Sequence, residues 1–250
     1  RGSETEATFA VSIPFGKGKD ADATTEKISS SQIIEARMTE QPERDLDIVV
    51  EESDDPDLQE AKNVDGSSLG NVIYVSAEGT GDGSSKSNPT NIDELNTLAD
   101  ENDVIIFMGD DGVIDPAGSE EYSNYTLENG QKLLSASGEL VLASENMNKQ
   151  TVFSPDVKQA SLSSPTHDIF ILADNTLVSG LEFNDGYNII SGDNLAGSIT
   201  LTKNKFINGE RAIYLDNSET AGLDVLIQDN IIGPENGRSF GNGGILLMNT

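Results

Sequence analysis

Four ionisable residues in the C-terminal half of the sequence have the types that carbohydrate chemistry uses. Asp185 and Asp216 each follow an apolar stretch, and Lys203 and Arg211 lie between them in the chain. A polysaccharide lyase combines clustered carboxylates, which bind Ca²⁺, with a Lys or Arg base, and a hydrolase needs two or three carboxylates within about 5 to 9.5 Å. These four residues are the catalytic candidates if folding brings them together. Solvated turn charges are the competing interpretation of each.

Other site chemistries have less support. His167 is the only histidine and Cys is absent, so no thiolate chemistry or Cys-ligated metal is expected. The loop GTGDG at 79–83 has Asp-Gly turns suited to Ca²⁺, but it lacks the spacing of an EF-hand and the Lys-Ser/Thr of a P-loop. A tight turn is the favoured interpretation, with no cofactor. Trp is also absent, which limits platforms for stacking against sugars.

The net charge of the chain limits the classes of partner that it can bind. Forty-four acids against 15 bases give a net charge of −29, which repels phosphate backbones and argues against nucleic-acid binding. No apolar run reaches the roughly 18 residues of a membrane helix. The sequence begins with Arg and stops within a strand pattern, so we expect a fragment cut at both ends.

A repeat of about two dozen residues organises the C-terminal region. Three phrases align, namely VSGLEFNDG (178–186), TKNKFINGE (202–210) and QDNIIGPEN (228–236), with steps of 23 and 26 residues. Each is followed by a second apolar strand, at 187–190, 212–215 and 245–248. This period predicts an all-β fold, a right-handed parallel β-helix in which Phe183, Phe206 and Ile232 form one inward stack. Asn204 and Asn230 are predicted at coil corners, where Asn tolerates the left-handed αL conformation and its amide can bond neighbouring coils.

The region before the repeat predicts a different opening. Val72 to Val75 reads as a strand, residues 91–100 as a short helix with Ile92, Leu95 and Leu98 on one side, and Val104 to Met108 as a second strand. Residues 72–250 thereby resemble the start of a bacterial pectin-lyase-fold passenger. The resemblance implies an N-terminal strand and helix cap over the end of the solenoid. That fold hosts lyases, hydrolases, adhesins and spacers, so it does not decide function.

The first residues alternate as a membrane strand does. In TFAVSIPFG (8–16), one face carries Phe9, Val11, Ile13 and Phe15, which matches the length and pattern of an outer-membrane barrel strand with these four side chains toward lipid. We therefore interpret residues 1–16 as the last strand of a barrel, with about ten more strands expected upstream. A strand of a soluble sheet is the competing interpretation.

Residues 17–71 form an acidic linker that carries a second resemblance. The segment EARMTEQPERDLDIVVEE, with Pro42, Glu43, Arg44 and Asp45 before Ile48 and Val49, follows the strand as in the inverse autotransporters of the intimin and invasin type. The resemblance implies that the linker threads back through the barrel lumen to the cell surface, where Arg44 would pair with a wall carboxylate.

Together these patterns predict an outer-membrane protein of a Gram-negative-type bacterium that displays the β-helix at the cell surface. Its function is that of an adhesin or stiff spacer without catalysis, whose partner is a host or neighbouring cell surface, or an extracellular glycan or protein. The loop at 235–244 is expected to add variable contact surface. The alternative is an envelope or secreted polysaccharide lyase or hydrolase.

Overall fold

A computed structural model describes residues 59–116, 124–144, 150–217, 222–233 and 240–248. Their regular secondary structure is almost entirely β-strand, with one helical turn. The predicted barrel strand at 8–16 and most of the predicted linker lie outside the described residues, as does the first half of the 235–244 loop.

Sixteen strands form three parallel sheets. Sheet I contains, in spatial order, β1 (Val72–Val75), β2 (Val104–Phe107), β5 (Lys132–Leu134), β10 (Leu177–Ser179), β13 (Gly197–Thr202) and β16 (Leu223–Gln228). Sheet II contains β3 (Val113–Ile114), β8 (Ser161–Ser164), β11 (Glu182–Gly186), β14 (Lys205–Phe206) and β17 (Ile231–Ile232). Sheet III contains β4 (Tyr125–Thr126), β9 (Phe170–Ile171), β12 (Asn188–Asp193), β15 (Arg211–Asp216) and β18 (Ile245–Met248).

The chain visits the sheets in a fixed rotation. From β2 onward it passes through sheets I, II and III in turn, and each strand pairs with its equivalent in the next passage. Val178 pairs with Leu201, and Leu201 with Ile227, which are the predicted steps of 23 and 26 residues. A parallel sheet built from one strand per passage is compatible with a β-helix-like solenoid. The predicted all-β class and parallel pairing are therefore confirmed.

The predicted inward column is also confirmed. Phe183 pairs with Phe206, and Phe206 with Ile232. The two rings are stacked, with centroids 5.0 Å apart and planes 15° from parallel. Phe183 and Phe206 are fully buried, whereas Ile232, in the last described passage, is partly buried. One passage cannot bury its own inner face, so the core depends on this stacking.

A second apolar cluster lies on the outside of sheet I. An antiparallel hairpin of β6 (Leu140–Ala143) and β7 (Gln150–Phe153) leaves the solenoid after β5. Leu140, Leu142 and Phe153 pack against outward residues of β1, β2 and β5. Ala61 and Leu69, near the end of the predicted linker, join this cluster. Contact with the body of the fold therefore begins upstream of the predicted boundary at Val72.

The opening helix is shorter than predicted. It spans only α1 (Leu95–Leu98), and Ala99 is already extended, so the chain enters β2 within a few residues. Ile92 and Leu95 are buried as expected, but Leu98 is 38% exposed. The prediction of one apolar side over residues 91–100 is thus wrong at Leu98, because a single turn cannot hold a residue at i+6 on the buried side.

Candidate functional site

The four catalytic candidates are distributed over three sheets. Asp185 lies on β11 of sheet II, and Lys203 directly follows β13 of sheet I. Arg211 and Asp216 lie at the two ends of β15 in sheet III. Each parallel sheet forms its own face of the solenoid, so only the pair on β15 shares a face. Asp185 pairs with Ser163 of the neighbouring strand rather than with another acid.

Each of the two basic candidates already has a partner. Lys203 Nζ lies 2.6 Å from Glu139 Oε1, which ties the base of the hairpin to a later passage. Arg211 Nη1 donates to Asn188 Oδ1 at 3.1 Å, and its guanidinium lies over the Tyr214 ring, 5.5 Å from the centroid. The ion pair of Lys203 connects two passages that are separated by a third, and the hydrogen bond of Arg211 connects neighbouring passages, so both side chains have a positioning role.

The two asparagines at the corner between sheets I and II bond from one passage to the previous one. Asn204 accepts the N–H of Leu181 at 3.1 Å and donates to Val178 O at 2.8 Å. Asn230 repeats this one passage later, accepting the N–H of Asn204 at 2.9 Å and donating to Leu201 O at 2.7 Å. The predicted bonds between coils are therefore confirmed.

The predicted conformation of these asparagines is displaced by one position. The left-handed residues at this corner are Lys203 (φ 56°) and Asp229 (φ 57°), which precede Asn204 and Asn230, and Gly180 (φ 79°), which precedes Leu181 at the equivalent position of the previous passage. At Gly180, an added Cβ would lie 2.2 Å from Gly138 N, so glycine is required there by a close approach as well. The residue before each asparagine adopts the left-handed conformation that forms the turn, and the asparagine side chain makes the hydrogen bonds to the previous passage.

The Asp-Gly loop folds as a tight turn around Asp82. Its Oδ1 accepts the N–H of Ser84 at 2.9 Å and the amide Nδ2 of Asn88 at 2.7 Å. Hydrogen bonds from Ser84, and then from Asn88, hold the pKa of Asp82 below its ordinary value. The loop is also tied to β1, where Tyr74 N donates to Gly83 O at 2.8 Å.

Asp103, which sequence reasoning did not single out, is a buried carboxylate at the start of β2. It is 1% exposed. Its oxygens accept the N–H of Asn71 at 2.6 Å and of Asp100 at 2.8 Å, so it joins the incoming chain to the first passage. Burial raises the pKa of Asp103, an effect that these backbone hydrogen bonds partly oppose. Burial likewise lowers the pKa of the nearby Lys132, against the attraction of Asp65 and Asp103.

An open cleft of about 620 Å³ lies near the beginning of the solenoid. Its apolar lining is Met108, which follows β2, and Val157, which precedes β8. Its polar lining consists of Lys86, Ser87, Asp110, Asp156 and Lys158. The three chain segments are far apart in sequence and lie in loops without periodicity, so no sequence signal linked them.

The walls of this cleft meet closely on one side. At Gly109 an added Cβ would lie 2.0 Å from Gln159 O, so the turn after β2 and the segment before β8 pack backbone to backbone. Lys158 Nζ lies 3.0 Å from Asp110 Oδ1 across the same junction. Both side chains are well exposed, so this pair contributes little to stability. Its position at the rim of a cleft makes it available to a ligand.

Among the described residues, no three His, Cys, Asp or Glu side chains converge where a metal ion could be held. Nor does any helix in this part of the chain have the length and apolar character needed to cross a membrane. His167 Nδ1 lies 2.8 Å from the Thr166 hydroxyl.

Comparison of the chain with protein-family models, with curated proteins and with solved structures gave no match.

Proposed function

We propose that this chain belongs to an outer-membrane-anchored protein that displays a right-handed parallel β-helix at the cell surface, where it acts as an adhesin or stiff spacer. In this proposal residues 1–16 are a barrel strand, residues 17–71 an acidic linker and residues 72–250 the passenger. β1 and α1 serve as its N-terminal cap, which protects the first edge from pairing with other chains.

The observation that carries the proposal is the inward column of Phe183, Phe206 and Ile232. Identical sheet positions stack from one passage to the next, so hydrogen bonds and packing both run along the axis of the solenoid. Such a body resists bending and extends by adding passages. The net charge of −29 favours solubility and keeps neighbouring copies apart.

The distribution of the candidate residues favours a binding role over catalysis. Asp185, Lys203, Arg211 and Asp216 occupy three sheets, and both basic side chains are engaged in contacts between passages. A lyase site needs its carboxylates and its base on one face. The cleft near the start of the solenoid holds two carboxylates, which is one fewer than the cluster expected for a lyase.

Surface display is tested on intact cells that produce the native protein. Antibodies raised against residues 72–250 should label intact cells, and external protease should remove the label while a periplasmic marker stays protected. Labelling only after permeabilisation would overturn the location. Separately, the purified chain should release no unsaturated or reducing ends from acidic and neutral polysaccharides. Release of either product would favour the enzyme.

A further inference from the structure

We infer that the open cleft lined by Lys86 and Lys158 binds a carboxylated saccharide, so that this cleft is a recognition site of the displayed domain. The inference rests on the proposed adhesive function and names its ligand class. Basic side chains are scarce in this chain, which has 15 bases and 44 acids.

Six of the seven basic residues in the described ranges have a partner within the fold. Lys62, Lys158, Lys203 and Lys205 form ion pairs, Lys132 donates to Gly130 O, and Arg211 donates to Asn188. Lys86 is the exception, because it has no hydrogen bond or ion pair with any other residue that the structure describes. It is also only partly exposed. A cation in an acidic protein that is left without an acceptor, in the wall of a cleft, is suited to an incoming anion.

The anion is a carboxylate held beside hydroxyl groups. Lys86 supplies a charge-assisted donor, while Asp156 can accept hydrogen bonds from sugar hydroxyls, and Ser87 can donate or accept. Val157 is partly exposed and offers a small apolar surface for the C–H face of a sugar ring, with the buried Met108 beside it. The volume of about 620 Å³ lies within the range of small-molecule sites. The carboxylates of Asp110 and Asp156 in the lining disfavour a ligand with several negative charges, so we expect one carboxylate per binding unit.

The loop that carries Lys86 is already ordered by its own hydrogen bonds. Asp82 accepts from Ser84 and Asn88 on either side of Lys86. Within the same loop, Gly83 N donates to Asn88 O at 3.0 Å. The opposite wall is fixed by the close approach of Gly109 to Gln159. A site held in this way loses little conformational entropy when a ligand binds.

The test compares two probes that differ by one carboxylated residue. The purified full chain is titrated with sialyllactose and with lactose by calorimetry at low ionic strength. We expect saturable binding of sialyllactose and at least about tenfold weaker binding of lactose, because lactose lacks the acceptor for Lys86. High salt should weaken the sialyllactose complex.

Three variants localise the effect. Lys86→Met should weaken sialyllactose binding about tenfold or more, while Lys62→Met, a lysine outside the cleft, should leave it unchanged. Asp110→Asn should strengthen it, because it releases Lys158 from its ion pair and adds a second free cation to the rim. Circular dichroism of each variant confirms that the fold is retained.

Several outcomes would overturn the inference. They are an absence of binding, equal binding of both sugars, an unaltered affinity in Lys86→Met, or equal binding of an acidic hexapeptide. Failure of surface labelling with intact sialyllactose binding would overturn the location and leave the site standing. Successful surface labelling without sialyllactose binding would overturn the binding site and leave the proposal of a displayed solenoid standing.

Discussion

The outer face of sheet I has two halves of different character. One outward column runs through all six strands as Tyr74, Ile106, Leu134, Ser179, Thr202 and Gln228. The first three residues are apolar and buried beneath the hairpin and the incoming chain. The last three are polar. The inward column beside them stays apolar throughout, from Ile73 to Ile227.

This contrast shows that the two faces of a strand obey separate constraints. An inward residue must be apolar because it packs against the inward residues of the neighbouring passages, and this environment is the same in every passage. The outward residue is determined by what covers that particular strand. A second outward column of sheet I contains Lys132 and Leu226, and both residues are exceptions to this contrast. Lys132 is charged although it lies in the half covered by the hairpin, and Leu226 is apolar although it lies in the uncovered half and is 48% exposed.

The sharpest test of the contrast compares Ile106→Ala with Leu226→Ala. Ile106 is 1% exposed, so its truncation leaves a cavity in the outer cluster and should cost about 2–5 kcal/mol. Leu226 lies on the bare half and should change the free energy of unfolding by less than about 0.5 kcal/mol. Urea unfolding of the chain measures both. Equal losses would mean that the hairpin does not shield sheet I.

A second comparison uses the two corner asparagines. Asn204→Ala leaves the buried N–H of Leu181 without its acceptor and removes one donor from the carbonyl of Val178, which should cost about 1–3 kcal/mol. Asn230→Ala makes the equivalent change in the last described passage, where both hydrogen bonds are only partly buried, so its cost should be smaller. Amide hydrogen exchange should report faster exchange at Leu181 in the first variant. Equal costs would contradict a gradient of burial along the corner.

The smallest expected effect is a pair of opposite pH dependences at the start of the solenoid. Because the folded pKa of Asp103 is raised, its contribution to stability is greatest below its unfolded pKa and is lost as pH rises through the folded value. Because the pKa of Asp82 is lowered, its contribution is present above its unfolded pKa and is lost as pH falls through the folded value.

Unfolding of Asp103→Asn and Asp82→Asn between pH 7 and pH 3 separates these two contributions. As pH falls, stability relative to the wild type should decline for Asp103→Asn and improve for Asp82→Asn. Parallel trends would show that one of the two carboxylates is in a different environment from the one described.

The sequence predicts the structure correctly where the same contact recurs in every passage. Phe183, Phe206 and Ile232 were aligned from spacing alone, because an inward site meets the same neighbours in every passage. The same reason predicts Asn204 and Asn230 but not the left-handed residue before each, since Lys203 and Asp229 share no pattern. The helix around Leu95 was overextended because an apolar spacing does not report where a strand must begin.

What the amino-acid order determined is the stack itself, since apolar residues that return every 23 to 26 positions can be buried only against one another. What only the tertiary structure decided is the exterior of that stack. The hairpin over sheet I, the burial of Asp103 and the cleft lined by Lys86 and Lys158 each join segments that are distant in the chain and occur once. A contact made a single time leaves no period in the sequence, so its energy becomes visible only after the chain has folded.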